Sequence, residues 1–412
     1  MKLPTQVDAI VVGGGIVGGA AALALHGCGL DTMILERTAP AVWRPEQPDI
    51  RVYAFAPDNI AFLRTLGVWE SIVAARAQPY YHMHVWDAAR PIQDALHFDA
   101  TALGSPELGW IIENDAMVDR LWQRVRYVGI PAHYPVEIQS VAQNADHVMV
   151  QLQGGQRLKA RLLVAADGKS STIRALAGIS STSSPYAHQA VMAYVRTEMP
   201  HQCTAWQRFL PTGPFAVLPC ADGLSAIVWT VPDAMADYLL ARDEKQFNIL
   251  QTNAFAAALG KMDVCSERKA FRLVRQLAST YAQGRIVLAG DAAHVVHPLA
   301  GQGVNLGLRD ISALQTMVMR AQKRALDWSS ISQLERWGRR RHSEDTCAAY
   351  GFDAIHRIYS NSSVLPVLLR GRLLKAVGKC PPLVHGLWRN AIGNTPGVRN
   401  VLGYPSMGSG RR

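Results

Sequence analysis

The residues best suited to chemistry in this chain lie in one stretch, residues 290–310. Asp291 follows an apolar run that predicts a buried strand, and a loop containing Pro and several Gly residues comes next. A helical pattern then begins near Val304. A carboxylate at a strand end can accept a hydrogen bond from a sugar-like hydroxyl, and free N–H groups at a helix start stabilise negative charge on a ring carbonyl. This combination indicates a bound flavin.

A second group of candidate residues forms a glycine fingerprint near the N-terminus. A short apolar strand, residues 7–12, runs into G-x-G-x-x-G at Gly13, Gly15 and Gly18, and an Ala/Leu-rich helix follows. These glycines allow a tight turn, the approach of a pyrophosphate and close packing of helix on sheet. Glu36 lies 18 residues past Gly18, near the ~20 typical of a carboxylate that holds ribose hydroxyls. The fingerprint predicts a dinucleotide but does not separate NAD from FAD.

A third candidate segment, residues 162–174, is another apolar strand that ends in Asp167-Gly168 and closes on Arg174. Taken alone, Asp-Gly after a strand is usually just a turn. Each of the three segments is by itself compatible with an ordinary connection between a strand and a helix. Their occurrence together favours a cofactor site.

The three segments together resemble the pattern of the flavoprotein aromatic hydroxylases, the single-component class A monooxygenases. Within that class, residues 290–310 are most similar to the ubiquinone-biosynthesis hydroxylases. Four shorter segments support the resemblance, which covers roughly residues 5–345: 49–54, 109–114, 207–209 and 213–219.

The resemblance implies a mixed α/β (α+β) fold, with a Rossmann-like FAD-binding domain, an inserted antiparallel-sheet substrate domain and a helical C-terminal region. Apolar runs separated by turns between residues 190 and 230 independently predict the antiparallel sheet. The expected boundaries are 1–72, 100–180 and 280–340 for the FAD-binding domain, 73–99 and 181–279 for the substrate domain, and 341–412 for the basic C-terminal region.

The resemblance also implies a set of site residues. On the oxygen side of the flavin, the loop of Pro298 and Gly303 would shape the reaction pocket. The sheet predicted from the apolar runs would cover the ring, and one of its faces would line an apolar pocket. The candidates for that pocket are Phe209, Phe215, Val217, Leu218 and Trp229, and the alternative is that each of them belongs to the core, which is the commoner place for such residues. The expected cofactor contacts are Gly13, Gly15, Gly18, Glu36, Arg37, Arg51, Asn114, Asp167, Asp291, Gly301, Gly303, Val304 and Asn305, and no metal ligand is expected.

The proton-transfer base is left open by the sequence. His294 and His297 lie close to the flavin motif. A histidine in such a loop is more often a structural hydrogen-bonding group than a base.

The activity implied by the resemblance is hydroxylation of a polyprenylated phenol or quinol in ubiquinone biosynthesis. NAD(P)H would act as a transient hydride donor, and O2 would react through a flavin C4a-hydroperoxide. Two alternatives remain at this stage: a class A hydroxylase of a small soluble aromatic, and a non-catalytic flavoprotein scaffold of a biosynthetic complex. Other ubiquinone-biosynthesis proteins are the implied partners, and a homo-oligomer is compatible with the sequence.

Composition agrees with a large soluble enzyme. The 412 residues are 49% apolar, which allows two or three domains with sizeable cores. Six cysteines form no C-x-x-C pair, so a reducing compartment is expected. The first strand begins almost at residue 1, and no apolar run is long enough to span a membrane. These features predict a cytoplasmic protein.

The net charge is concentrated at the C-terminal end. Residues 354–412 contain nine Lys or Arg and no Asp or Glu, within a formal net charge of +10. Leucine-rich runs between these basic residues suit an anionic membrane surface, such as the inner face of the cytoplasmic membrane. Nucleic acid is disfavoured by the aliphatic content. A helical subdomain with solvated basic residues is an equally good interpretation.

Overall fold

The structure is a computed structural model that describes residues 5–296 and 302–359, except for the side chains of residues 302 and 351–359. The predictions for His297, Pro298, Gly301 and the tail beyond residue 359 therefore lie outside the described residues. No described helix is long and apolar enough to cross a bilayer.

The described part of the chain alternates strands and helices. The helices are α1 Ile16–Gly27, α2 Pro57–Thr65, α3 Trp69–Arg76, α4 Asn114–Tyr127, α5 Thr172–Leu176, α6 Asp233–Leu240, α7 Glu244–Ala254, α8 Gln302–Lys323 and α9 Ile331–Tyr359. The strands are β1 Gln6–Val12, β2 Thr32–Leu35, β3 Val52–Phe55, β4 Ala77–Tyr80, β5 His82–Asp87, β6 Leu96–Asp99, β7 Gly109–Glu113, β8 Ala132–His133, β9 Ile138–Gln143, β10 Val148–Leu152, β11 Arg157–Ala165, β12 Ser181–Thr197, β13 Thr204–Leu210, β14 Gly213–Pro219, β15 Ser225–Pro232, β16 Met262–Val264, β17 Lys269–Ala278, β18 Ala282–Gln283, β19 Ile286–Leu288 and β20 His294–Val295.

A largely parallel sheet forms the centre of the Rossmann-like part. Its described strands follow the order β18-β19-β11-β1-β2-β8, with β9 and β10 attached beside β11. The neighbours β19, β11, β1 and β2 all run parallel. Their apolar residues are buried on both faces, which is the pattern of a parallel sheet covered by helices. This confirms the predicted fold class.

A second, mostly antiparallel sheet contains the strand order β20-β17-β12-β15-β14-β13-β5-β6, with β16 beside β12. On one face, aromatic residues pack with α6 and α7: the rings of Phe215 and Trp229 stack with centroids 4.7 Å apart. The opposite face turns towards the first sheet. A three-stranded sheet, β3-β7-β4, contributes to the region between the two.

The predicted segment 73–99 is divided between these sheets. β4 belongs to the three-stranded sheet, whereas β5 and β6 pair within the second sheet. The domain boundaries stay predictions.

A buried charge network joins α8 and α9 to the loop that contains Asp291. Asp310 on α8 accepts a hydrogen bond from the Gly290 N–H at 3.0 Å and lies 2.7 Å from His294 Nε2. Its other oxygen accepts from Arg341 Nε on α9 at 2.8 Å. Arg341 also donates to Asp345. We name His294, Asp310, Arg341 and Asp345 the α8–α9 network; each is at most 4% exposed.

The α8–α9 network contains side chains of the types that bind metal ions, but the guanidinium of Arg341 lies between its two carboxylates. Ligand atoms of His294, Asp310 and Asp345 lie within 4.8 Å of one another. Arg341 donates to both carboxylates and supplies the compensating positive charge. The cluster therefore acts as a clamp between the two helices and the Asp291 loop.

Burial and mutual attraction shift the pKa values in opposite directions. Burial lowers the pKa of His294, but the carboxylates of Asp310 and Asp345 outweigh this and raise it from 6.5 to about 9. Burial raises the pKa of Asp310, but His294 and Arg341 outweigh it and lower the value to about 2. Burial and the negative charge of Asp310 raise the pKa of Asp345 to about 8.

The network makes the free energy of unfolding fall as pH rises, and above pH 6.5 both His294 and Asp345 contribute to this fall. His294 and Asp345 both bind protons more tightly in the folded state. The contribution of Asp345 to stability is therefore lost as pH rises from its ordinary pKa of 3.8 to about 8, and that of His294 as pH rises from 6.5 to about 9. We expect the melting temperature to fall between pH 6.5 and 9.5. His294→Gln should flatten that fall although it lowers the melting temperature itself.

Thermal unfolding of the holoprotein across this pH range measures the effect. The matched control is His26→Gln, at an exposed position on α1, which should keep the wild-type slope. An identical slope in His294→Gln and wild type would contradict the role of the network.

Candidate cofactor and substrate site

The predicted motifs meet because each follows one of four adjacent parallel strands. The fingerprint follows β1, Glu36 follows β2, Asp167 lies just past β11, and Asp291 lies just past β19. Parallel neighbours end at the same edge of a sheet, and ligands of open α/β sheets bind outside that edge. Segments more than a hundred residues apart in the chain thus form one site.

The fingerprint turn needs glycine for steric reasons. Gly13 has φ +102°, and a Cβ there would overlap the Ala166 carbonyl. A Cβ at Gly18 would overlap the carbonyl of Gly13. At Gly15, in contrast, no atom lies within 4 Å of where a Cβ would be. The turn is therefore tightly packed on one side and open on the side where a pyrophosphate would approach.

Glu36 stabilises the fingerprint turn. Its Oε2 accepts a hydrogen bond from the Gly14 N–H at 2.5 Å, and its Oε1 accepts from the Thr38 N–H at 2.9 Å. Arg37, which follows it, is exposed. The carboxylate thus lies at the fingerprint, where the sequence predicts a ribose contact.

The Asp167 segment is joined to the Asp291 loop through Arg174. Asp167 Oδ2 accepts from the Ile173 N–H at 3.1 Å, and its Oδ1 is buried without a hydrogen-bond partner. Arg174 donates to the carbonyls of Ala292 at 2.7 Å and Lys169 at 2.8 Å. The sequence marked Arg174 only as the basic end of a motif, because its partner Ala292 lies more than a hundred residues away.

Asp291 faces a cavity of about 430 Å³ between the first sheet and the second. Burial raises the pKa of its carboxyl, with partial compensation by His294 and Lys169. Tyr53 on β3 lines the same cavity, and burial together with the charge of Asp291 raises its pKa to about 12. This end of the cavity therefore offers a carboxylate and a protonated phenol to a ligand.

Arg51 lies at the same cavity between two carboxylates. Its guanidinium is 3.0 Å from Asp49 and 3.3 Å from Asp115. Asn114 also lines the cavity and donates to Asp115 at 2.8 Å. Burial and the neighbouring Asp49 raise the pKa of Asp115. The positive charge of Arg51 is thus shared between two acids before any ligand binds.

The structure brings many of the predicted residues to this cavity. Its lining includes Gly15, Arg51, Asn114, Leu218, Asp291, Gly303 and Val304. Gly303 and Val304 lie in the first turn of α8, whose N–H groups are free of helical partners.

Four of the five predicted pocket residues do not line the cavity. Phe215, Val217 and Trp229 pack in the core on the opposite face of the second sheet, because successive strand residues point to opposite faces. Phe209 packs against Val85 and Leu96 instead. These assignments are corrected.

The side chain of Asn305, which the sequence places at the start of the helix beside the cofactor, is bonded within the protein. Its Oδ1 accepts from the Ala56 N–H at 2.9 Å, and its Nδ2 donates to the Ala54 carbonyl at 2.7 Å. The fully buried amide thus attaches the start of α8 to the end of β3.

Sequence reasoning missed the residues by which the second sheet lines the cavity. They alternate along the strands with the buried aromatic residues, and they are mostly small or apolar: Ala190, Met192, Ala205, Gln207, Pro214, Ala216, Val228, Thr230, Phe271 and Leu273. The alternation of side chains along each strand could have assigned these residues to the same face as Leu218. It could not have shown which of the two faces of the sheet lines the cavity.

Comparison with known proteins agrees with this site. Residues 6–339 match the family of the FAD binding domain. The chain is 33% identical over 396 residues to the 3-demethoxyubiquinol 3-hydroxylase of Escherichia coli, covering 95% of this chain and 99% of that protein. It is 32% identical over 430 residues to the human mitochondrial ubiquinone biosynthesis monooxygenase, covering 92% and 91%.

A solved structure shows the same fold. A single-residue variant of Klebsiella pneumoniae HpxO complexed with FAD superposes with a TM-score of 0.73 at 18% identity, over 95% of this chain and 99% of that one. The family match, the relatives and the grouping of three cofactor motifs at one sheet edge agree, and this chain belongs to the FAD-binding hydroxylase family, in which it is a flavoprotein monooxygenase akin to the ubiquinone-biosynthesis hydroxylases.

Proposed function

We propose that this protein hydroxylates the ring of a polyprenylated phenol or quinol in ubiquinone biosynthesis, with FAD as cofactor, NAD(P)H as transient hydride donor and O2 as oxidant. The observation that carries this proposal is the cavity that joins the cofactor loops to a mostly apolar sheet face. The relatives named for ubiquinone biosynthesis support the substrate class.

The residues present fit FAD. The space beside Gly15 and Gly303 is open within 4 Å of the position of a Cβ, and an unpaired Asp167 oxygen lies between Ala166 and Gly168, which line the cavity. When bound, FAD supplies hydride acceptance from NAD(P)H and the activation of O2.

We assign the following contacts to the chain. The turn of Gly13, Gly15 and Gly18 would hold the pyrophosphate, Glu36 the ribose, and Asp291 the ribityl hydroxyls. The free N–H groups of the first turn of α8 would stabilise negative charge on the ring. The apolar sheet face would exclude water from the reacting ring.

Asp291→Ala tests the cofactor assignment. The loss of hydrogen bonds to a charged group should weaken FAD binding roughly ten- to a hundredfold. Flavin absorbance of the purified protein and titration of the apoprotein with FAD measure this. The control variant Asp146→Ala, at an exposed position, should bind FAD like wild type. Full flavin content and unchanged FAD affinity in Asp291→Ala would contradict the assignment of Asp291 to the ribityl hydroxyls.

Product analysis tests the activity. The holoprotein with NADPH or NADH, O2 and a series of phenols should yield a product one oxygen atom heavier. The value of kcat/KM should rise with prenyl length, because the substrate wall is apolar. Mass spectrometry and substrate-stimulated NAD(P)H oxidation are the readouts. Equal turnover of prenylated and unprenylated phenols would contradict the lipid substrate, and the lack of any hydroxylated product would contradict the activity.

We also propose that the basic C-terminal tail docks on an anionic membrane surface. Residues 360–412 contain eight of the nine tail cations, all but Arg357, among leucine-rich runs. A lipid substrate and a membrane-bound protein would meet on the same surface.

Truncation after residue 359 tests this docking. The full chain should sediment with vesicles that contain anionic lipid and be released by about 0.5 M salt, since screening weakens such contacts. The truncated protein should stay in the supernatant with unchanged FAD content, and purely zwitterionic vesicles serve as the control. If the truncated protein sediments with anionic vesicles as well as the full chain does, the tail is not what binds the membrane surface.

A further inference from the structure

Two polar side chains interrupt the substrate wall of the cavity. Gln207 on β13 and Thr230 on β15 both line it, with residue exposures of 7% and 2%. Neither side chain makes a hydrogen bond among the described residues, and the polar atoms of both are accessible from the cavity rather than fully buried. Their neighbours on this face are small or apolar, including Ala205, Ala216 and Val228.

Two other buried amides of the chain donate their N–H groups to backbone carbonyls, although the amide oxygen of Gln251 has no partner. The amide of Gln276 donates to the Lys169 carbonyl at 3.0 Å, and that of Gln251 donates to the Met262 carbonyl at 3.0 Å. A polar group that faces a cavity loses its contact with water when a ligand fills that cavity, which is unfavourable unless the ligand completes its hydrogen bonds. A ligand that fills the cavity must therefore supply hydrogen bonds to Gln207 and Thr230.

The strand register places Gln207 and Thr230 on the same face of the second sheet, on either side of Ala216. Gln207 pairs with Ala216, and Ala216 pairs with Val228. Thr230 lies two residues beyond Val228 on the same face of β15. Two strand spacings and two residues correspond to a Cα separation of about 12 Å. Side chains that project from these two positions into the cavity would be able to reach a six-membered ring above Ala216 from both sides.

We propose that Gln207 and Thr230 are specificity-determining residues that bind oxygen substituents on opposite sides of the substrate ring. The amide of Gln207 both donates and accepts, so it can meet a ring hydroxyl or an ether oxygen, and the hydroxyl of Thr230 has the same versatility. The inference rests on the proposed function for its ring chemistry. It defines the substrate as a ring with two oxygen substituents and an apolar chain.

Binding to the holoprotein tests the inference without turnover. Three ligands share one farnesyl chain: a hydroquinone with two ring oxygens, a phenol with one, and an arene with none. Anaerobic titrations follow the perturbation of the flavin spectrum. Wild type should lose about tenfold or more in affinity for each missing oxygen, since the site is then left with an unpaired polar group.

The variants assign each oxygen to a residue. In wild type, affinity falls once from the hydroquinone to the phenol and again from the phenol to the arene. Gln207→Leu should abolish one of these two losses of affinity and Thr230→Val the other. The double variant should bind all three ligands with the same affinity. Gln207→Met, an unbranched replacement, repeats the test if the leucine variant folds poorly. The matched control is Gln189→Leu, which is similarly buried but lies outside the cavity lining, and it should keep both steps.

The outcomes separate this inference from the proposed function. If wild type and the Gln207 and Thr230 variants rank the three ligands identically, the inference is overturned, whether or not the ligands are hydroxylated. If the variants change the ranking but wild type forms no hydroxylated product, the two residues are oxygen-binding groups and the proposed function is the part that fails.

Discussion

The buried carboxylate of Asp310 is the interaction on which the cofactor edge of this protein depends. It binds the N–H of Gly290, His294 and Arg341, and so holds the Asp291 turn against both α8 and α9. The turn also needs close packing: a Cβ at Gly307 would lie 2.6 Å from the Val17 side chain and 3.0 Å from the Gly290 backbone. Helix α1, helix α8 and the Asp291 loop can approach this closely only because Gly307 and Gly290 have no side chain.

This constraint explains how the cavity is shared between two sheets. The parallel sheet delivers its loops to one edge, and the α8–α9 network fixes the last of these loops. The second sheet supplies the opposite wall, and its β20 strand begins at His294 itself. The residue that anchors the turn to Asp310 therefore also starts the strand that pairs with β17. The Asp291 loop and the second sheet are thus connected through His294 and its bond to Asp310.

Local patterns predicted much of the fold. The strands β1 and β2, the helix α1 and the antiparallel order of β13, β14 and β15 correspond to apolar runs bounded by turn residues. The large aromatic residues misled the choice of pocket, because Phe215 and Trp229 gain more from burial in a packed core than from lining a cavity. The α8–α9 network left no local signal, since its four members come from three separate elements.

The sequence by itself determined the cofactor class and the elements that carry it, because glycine spacing, strand ends and helix starts are properties of neighbouring residues. It also determined the period of two along the second sheet. Only the tertiary structure decided which face of that sheet meets the cavity, and hence that Gln207 and Thr230, rather than Phe215 and Trp229, line it. The physical reason is that alternation defines two faces, while packing of α6 and α7 on one of them leaves the other to the cavity.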